Sequence, residues 1–500
     1  MAGYDVILVG AGPAAIFCAL ELTWQHPGLR LLMLEKGRDI KERRCPSQEK
    51  QAPCFNCSSC AIVSGWGGAG AFSDGKLALS TEVGGLLGQY LEQRQFASGI
   101  DYVHQVYLKF GAPQEVYGLD RQEEIIGLQR RAALAGLRLV PAPIRHLGTG
   151  RTQQILIKMQ DCLLKQGVEI RTKTPVASLL TEEGVAAGVV TEDGEEIRAE
   201  YVVCAPGRHG SEWMSREAGR LGLQMRINPV DIGLRIELPA VVMEPVTSLT
   251  YEAKFIYSTP TFEDTVRTFC MNPYGEVVME NTDGVITVNG HSHAEAKTEY
   301  TNFALLVSKS FTEPFKEPIT YGKYVASLAN MLGGGIIVQR LGDLISGHRS
   351  TKDRISKGLV IPTLQEATPG DLSLVLPYRH FTAILETLKA IDQVSPGVYS
   401  RHTLLYGVEV KFYSSRLDVS DELESGIHNL FVAGDGAGIT RGLAQASLSG
   451  VVVARAIGGR LGTEVGSRAW SILKSDFHDH TGADTSDFSQ ERKRYHPLVL

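Results

Sequence analysis

The sequence predicts an α/β chain: a mostly parallel, doubly wound sheet interrupted by an inserted α+β domain. Three observations predict it. An apolar run, Tyr4-Asp5-Val6-Ile7-Leu8-Val9, enters a Gly-rich turn and then an apolar helical pattern from Ala14 to Leu22. A second apolar run, Leu29 to Leu34, ends in the acid Glu35. Far downstream, Leu430-Phe431-Val432-Ala433-Gly434 repeats the strand-then-glycine pattern ahead of a helical stretch from Leu443 to Ile457. Continuous apolar runs of this length mark strands covered on both faces. The order strand, turn, helix, strand builds a parallel βαβ unit.

The remaining elements follow in chain order. Residues 38–63 are polar, cysteine-rich and without periodicity, which predicts an inserted loop; residues 64–80 form a second Gly-rich segment. Helical spacing runs from Gln153 to Gln166, and a short strand follows at Gly167 to Ile170. Val185 to Thr191 and Glu196 to Ala199 flank Glu192-Asp193-Gly194, a hairpin signal. Tyr201 to Cys204 is a further buried strand, ending at Ala205-Pro206-Gly207. From about 226 to 395 strand-like runs (Ile232 to Leu238, Val266 to Met271, Glu276 to Glu280) alternate with helical stretches such as Tyr321 to Met331. The expected division is a first part of the nucleotide-binding domain at 1–225, a substrate domain at 226–395, the returning part at 396–460 and a polar tail at 461–500.

A chain of 500 residues exceeds one ordinary core, in keeping with two interleaved domains. Lys and Arg number 50 against 56 Asp and Glu, a net charge of −6 that gives no footing for nucleic acid. The N-terminus enters a strand without a basic leader, and no run is long enough to cross a bilayer. The expected location is the cytoplasm.

The first turn reads Gly10-Ala11-Gly12-Pro13-Ala14-Ala15, a G-x-G-x-x-A. Its first glycine suits the tight turn, its second the approach of a pyrophosphate, and Ala15 the close packing of helix on strand. The helix N-terminus offers N–H groups and partial positive charge to phosphate. Glu35, followed by Lys36, lies 23 residues past Gly12, where a carboxylate meets ribose hydroxyls.

Phe431 to Gly438, with Gly434-Asp435-Gly436, resembles the second flavin-contacting motif of glutathione-reductase-like flavoproteins. That resemblance implies FAD as cofactor, Asp435 on its ribityl or pyrophosphate side, and Arg441 and Gly442 beside it. Gly67-Gly68-Ala69-Gly70-Ala71-Phe72-Ser73-Asp74 resembles the segment such proteins lay along the flavin, with Gly67, Gly68, Ala69, Phe72, Ser73 and Asp74 as contacts. Ala205-Pro206-Gly207 resembles the strand end beside the cofactor, adding Ala205 and Gly207. The order of the four motifs is similar to that of a family of bacterial and archaeal FAD-dependent dehydrogenases, relatives of the geranylgeranyl-reductase and p-hydroxybenzoate-hydroxylase branch. Arg145 to Thr149, Arg267 to Cys270, Asn289 to Ser292 and Gly407 to Tyr413 extend the resemblance. It implies a glutathione-reductase-like FAD-binding dinucleotide fold with an inserted α+β substrate domain, and an FAD-dependent oxidoreductase acting on a small-molecule substrate. A reductase or dehydrogenase leads; a flavin monooxygenase and a non-catalytic flavin-binding protein are the alternatives.

Flavin carries the redox chemistry, so the protein must position the substrate and handle a proton. His291, Tyr413 and Lys411 are the first candidates, with His293 and Cys270 behind them; Arg267 and Arg441 are candidates for a carboxylate or a phosphate. His291 leads because Gly290 permits close backbone approach beside it. No second complete G-x-G-x-x-G lies between 100 and 400, so a dedicated NAD(P)H domain is not expected. Reducing equivalents would come from transiently bound NAD(P)H or a ferredoxin-like donor. Cys45, Cys54, Cys57 and Cys60 fall within 16 residues. Their spacing resembles a [4Fe–4S] ligand set with the Cys-Pro moved ahead of the triplet; an all-cysteine zinc site, a redox thiol pair and unliganded thiols are the other readings.

Overall fold

The computed structural model describes residues 3–50, 57, 59–73, 75–148, 150–282, 284–292, 297–315, 317–413 and 415–462. Two sheets organise it. The first runs Glu169–Thr172, Leu31–Glu35, Tyr4–Val9, Glu196–Cys204, Val185–Thr191, Val176–Glu182, with Leu430–Val432 also on Glu196–Cys204. The expected strands at 196–199 and 201–204 are one continuous strand. Its first half pairs antiparallel with Val185–Thr191, at Gly188↔Arg198. Its second half pairs parallel with Tyr4–Val9 on one side and Leu430–Val432 on the other. Exposure explains the run: side chains alternate exposed and buried through 200, then stay buried through Cys204 as the strand passes into the core.

Helix Pro13–Gln25 covers this sheet, and helix Leu443–Arg460 lies on top of it. The two backbones nearly touch, because a Cβ on Gly450 would stand 1.9 Å from the Ala14 carbonyl oxygen. Only a residue without a side chain permits that approach.

The second sheet has eight strands in the order Thr368–Pro369, Ile337–Arg340, Leu404–Lys411, Val230–Pro239, Tyr300–Lys309, Thr265–Asn272, Lys254–Ser258, Leu137–Val140. It therefore takes in Leu137–Val140 and Leu404–Lys411 as well as strands from 226–395. A sheet recruits strands by apolar face and hydrogen-bond edge, not by contiguity in the chain. Ile232, Leu234, Ile236 and Leu238 turn to one face with Phe303, Leu305 and Val307. Helices Gln122–Leu134, Ala240–Thr250, Pro318–Gly333 and Tyr378–Val394 cover that face. Helices Gln93–Lys109, Gln122–Leu134 and Tyr378–Val394 go beyond the elements the sequence suggested. Period-two alternation sends Asp231, Arg235 and Glu237 to the opposite face, all buried. Among the described residues, no helix is long and apolar enough to cross a membrane.

Candidate functional site

The Gly-rich turn is held from three sides. Gly10, at φ +105°, donates to the Leu34 carbonyl over 2.7 Å, and a Cβ there would lie 2.3 Å from the Ala205 carbonyl oxygen. Buried Glu35 accepts the Ala11 N–H on Oε2 at 2.9 Å, and the N–H groups of Gly37 and Gly65 on Oε1 at 2.8 and 2.9 Å. Gly67 N–H donates to the Ala11 carbonyl over 2.7 Å, so the segment with Gly67, Gly68 and Ala69 straps across the turn. Lys36 reaches the His209 carbonyl over 3.3 Å, beside Gly207.

Arg43 and Trp66 hold this strap, and sequence reasoning missed both. The Arg43 guanidinium donates to the carbonyls of Ala61, Ile62, Trp66 and Gly68 and lies 4.7 Å from the Phe72 ring centre. Burial draws its pKa down to about 10, against the pull of Glu35. Trp66 is fully buried, with its indole N–H on the Leu156 carbonyl at 2.9 Å. Ser73 caps locally, its hydroxyl on the Gly70 carbonyl; Asp74 lies outside the described residues.

The returning segment closes on the same point. Ala205 N–H donates to Val9 and Ala433 N–H to Cys204, which places Ala205–Gly207 and Gly434–Asp435 beside Gly10. Gly434 N–H is taken by the Ser449 hydroxyl at 2.9 Å. Asp435 accepts the Thr440 hydroxyl at 2.6 Å, and Arg208 lies 3.4 Å away. Burial raises the Asp435 carboxyl pKa, and Arg208, Thr440 and Arg441 only partly offset this. A second strap, missed from sequence, braces it: Arg441 N–H donates to Gly84, and Leu86 N–H to Ile439. Helices Pro13–Gln25 and Leu443–Arg460 begin at Gly12 and Gly442, and neither has a side-chain cap. Their first N–H groups stay free to meet anionic or polar ligand atoms. Buried Arg441 Nε has no hydrogen-bond partner. Open backbone donors, a bare Gly12 with nothing within 4 Å of a built Cβ, and that orphan nitrogen fit a dinucleotide.

Facing this cradle is the polar face of the second sheet. Arg235 and Glu409 form a buried pair at 2.7 and 2.9 Å, and Asn302 takes another Arg235 N–H at 2.7 Å. Tyr413 donates its hydroxyl to Asp231 at 2.6 Å and accepts from Arg267 at 2.6 Å; Arg267 and Ser308 also bond Asp231. Burial pushes the Tyr413 phenol up. The Arg441 guanidinium lies 3.7 Å from the Tyr413 ring centre, which links the two halves of the cleft. Lys411 is 3.1 Å from Glu409 and 3.8 Å from Glu280. Lys411 lowers the Glu280 pKa against burial, with Arg208 adding to it. Lys76 crosses from the first domain to the Met271 carbonyl at 3.1 Å and sits 3.6 Å from Glu252.

His291 ends strand Val285–His291, opposite Glu276. Gly290 serves another purpose than the one expected: a Cβ there would fall 2.1 to 2.4 Å from Asn302, Arg235 and Asn272, so its bareness makes room for that polar network. His293 lies outside the described residues. Cys270 sits at a bulge in Thr265–Asn272 with φ +46°. Asp231, Arg235, Glu252, Lys254 and Glu409 were missed as site residues; for Asp231 and Arg235 the signal was the alternation of Val230 to Leu238, broken only at Gly233.

Cys45, Cys57 and Cys60 are free thiols, and Cys54 lies outside the described residues. Among the described residues, no cluster of three His, Cys, Asp or Glu side chains could hold a metal ion.

Known proteins agree with the cradle. A family model described as FAD binding domain matches residues 3–254, and one described as FAD-dependent protein, C-terminal domain-like, matches 229–412. An uncharacterized protein of Clostridium beijerinckii is 28% identical over 480 residues, covering 90% of this chain and 80% of its own. Solved structures include glycine oxidase from Geobacillus kaustophilus, 12% identical, TM-score 0.37, covering 94% of this chain and 98% of that one. L-proline dehydrogenase from P. horikoshii is 12% identical, TM-score 0.38, covering 91% and 93%. The first family model spans half of the chain, and the chain belongs to that FAD binding domain family.

Proposed function

We propose that this protein holds FAD across the two Gly-rich straps and acts as a reductase or dehydrogenase of a small organic substrate seated on the polar sheet face. One observation carries the reading: four separated segments and two uncapped helix N-termini converge opposite a face of buried charges. Bound FAD supplies the hydride or electron exchange. In this reading Gly10, Gly12, Pro13, Ala14 and Ala15 wrap the pyrophosphate. Glu35 Oε2, which takes one N–H, has room for a ribose hydroxyl. Asp435 meets the ribityl chain, and Gly442 opens a helix whose positive end favours reduced flavin. Gly67, Gly68, Ala69, Phe72, Ser73, Ala205 and Gly207 give the flanking walls, and Lys36 closes the edge.

On the substrate side, Tyr413 shares its proton with Asp231 and Lys411 is steadied by Glu409, so both are proposed to handle the transferred proton, with His291 as a third group. Transient NAD(P)H or a ferredoxin-like protein is the proposed electron source. The division 1–225, 226–395 and 396–460 is proposed with Leu137–Val140 and Leu404–Lys411 counted in the inserted domain, and the branch is that of geranylgeranyl reductase and p-hydroxybenzoate hydroxylase.

Flavin per chain in purified protein, then anaerobic turnover with an artificial acceptor, tests this. Stoichiometric FAD and oxygen-independent turnover are expected. Folded protein that takes up no FAD ends the reading; product formation that needs O₂ replaces it with a hydroxylase.

A further inference from the structure

In two ion pairs of the polar sheet face the cation is more exposed than its acid. Arg267 is 23% exposed and its partner Asp231 1%; Lys254 is 14% exposed and its partner Glu252 8%. These cations gather at one ring: Arg267 lies 5.0 Å, and Lys254 and Lys411 each 5.5 Å, from the centre of Phe269. The acids are already shared. Glu252 serves Lys254 at 2.7 Å and Lys76 at 3.6 Å; Glu409 serves Arg235 and Lys411. Asp231 is bonded by Arg267, Tyr413 and Ser308. The half-buried acid Glu280 is engaged by Lys411 and Asn289. Cations gathered around shared acids at a partly desolvated surface attract one more anion.

Building on the flavoenzyme reading, we propose that the substrate is an organic carboxylate, anchored by Arg267 with Lys254 against the Phe269 ring. A guanidinium matches a carboxylate in a two-bond fork, and the ring gives an apolar seat to the carbon skeleton behind it.

The test titrates flavin-loaded protein with benzoate and acetate, and with the neutral amides benzamide and acetamide, following the flavin absorption bands. Each acid is expected to bind at least about tenfold more tightly than its amide, the usual worth of a charged hydrogen bond. Arg267→Gln should keep its flavin and lose that preference; Arg267→Lys should keep part of it, which covers the case in which the glutamine variant does not fold. Equal binding of acid and amide, no spectral response to either acid, or full preference in Arg267→Gln overturns the proposal. Protein that purifies without flavin and cannot be loaded defeats the flavoenzyme reading itself and takes this inference with it.

Discussion

Replacing Glu35 by Gln should weaken the protein even before any cofactor binds. Both carboxylate oxygens are acceptors of backbone N–H groups, Oε1 of two and Oε2 of one. Glutamine keeps one oxygen and presents an NH₂ in place of the other. The better arrangement leaves the oxygen on Gly37 and Gly65 and turns the NH₂ toward the Ala11 N–H, so two donors face each other. Lost are one charge-assisted bond, about 1.5–3 kcal/mol, and the charge behind two more. The expected destabilisation is about 2–4 kcal/mol, or roughly 5 °C or more in the unfolding midpoint of the first domain. The assay is thermal unfolding of flavin-free wild type and Glu35→Gln, followed by FAD titration of each. Retention of wild-type stability without flavin, with only FAD affinity reduced, would refute the reasoning. The carboxylate would then matter to the ligand alone, not to the three-way tie between turn, strand and strap.

Gly450→Ala places a methyl against the Ala14 carbonyl and must push helix Leu443–Arg460 off helix Pro13–Gln25. It should cost on the order of 2 kcal/mol or more and lower flavin content, read by unfolding and by flavin absorbance. Burial raises the Glu252 pKa, but Lys254 and Lys76 outweigh it and hold the carboxyl at about 2. That is below the unfolded value of about 4.3, so the stabilisation, at most about 3 kcal/mol, is present above that value and is lost as pH falls toward 2. The stability gap between wild type and Glu252→Gln should therefore shrink from pH 6 to pH 3 in denaturant unfolding. A gap independent of pH would contradict it.

The cradle was legible in the sequence because its chemistry is local. Gly10, Gly12, Ala15 and Glu35 lie within one βαβ unit, and the second motif announces itself with Gly434-Asp435 after an apolar run. The charged sheet face was not legible in the same way. Asp231, Arg267 and Glu409 come from three strands, and only the register Asp231↔Lys411 and Arg267↔Leu306 brings them to one surface. Alternation tells which residues share a face but not which strands are neighbours. Arg43 and Trp66 were hidden for another reason: a buried arginine bonded to four carbonyls leaves no periodic trace in an irregular segment. Gly290 drew the eye to His291, whereas the space it leaves is filled by side chains from three other strands.

The strand Glu196–Cys204 receives Leu430–Val432 on the side away from Tyr4–Val9, and helix Pro13–Gln25 receives Leu443–Arg460 on its apolar back. Both partners are made more than two hundred residues after the surfaces they cover. During synthesis, the emerging N-terminal half holds a helix covered only in part, by helix Gln93–Lys109, and an unfinished sheet edge until the ribosome has passed residue 450. Such a nascent intermediate is sticky, and its maturation depends on late long-range closure. A premature stop between 400 and 440 would yield insoluble chains rather than a smaller working domain.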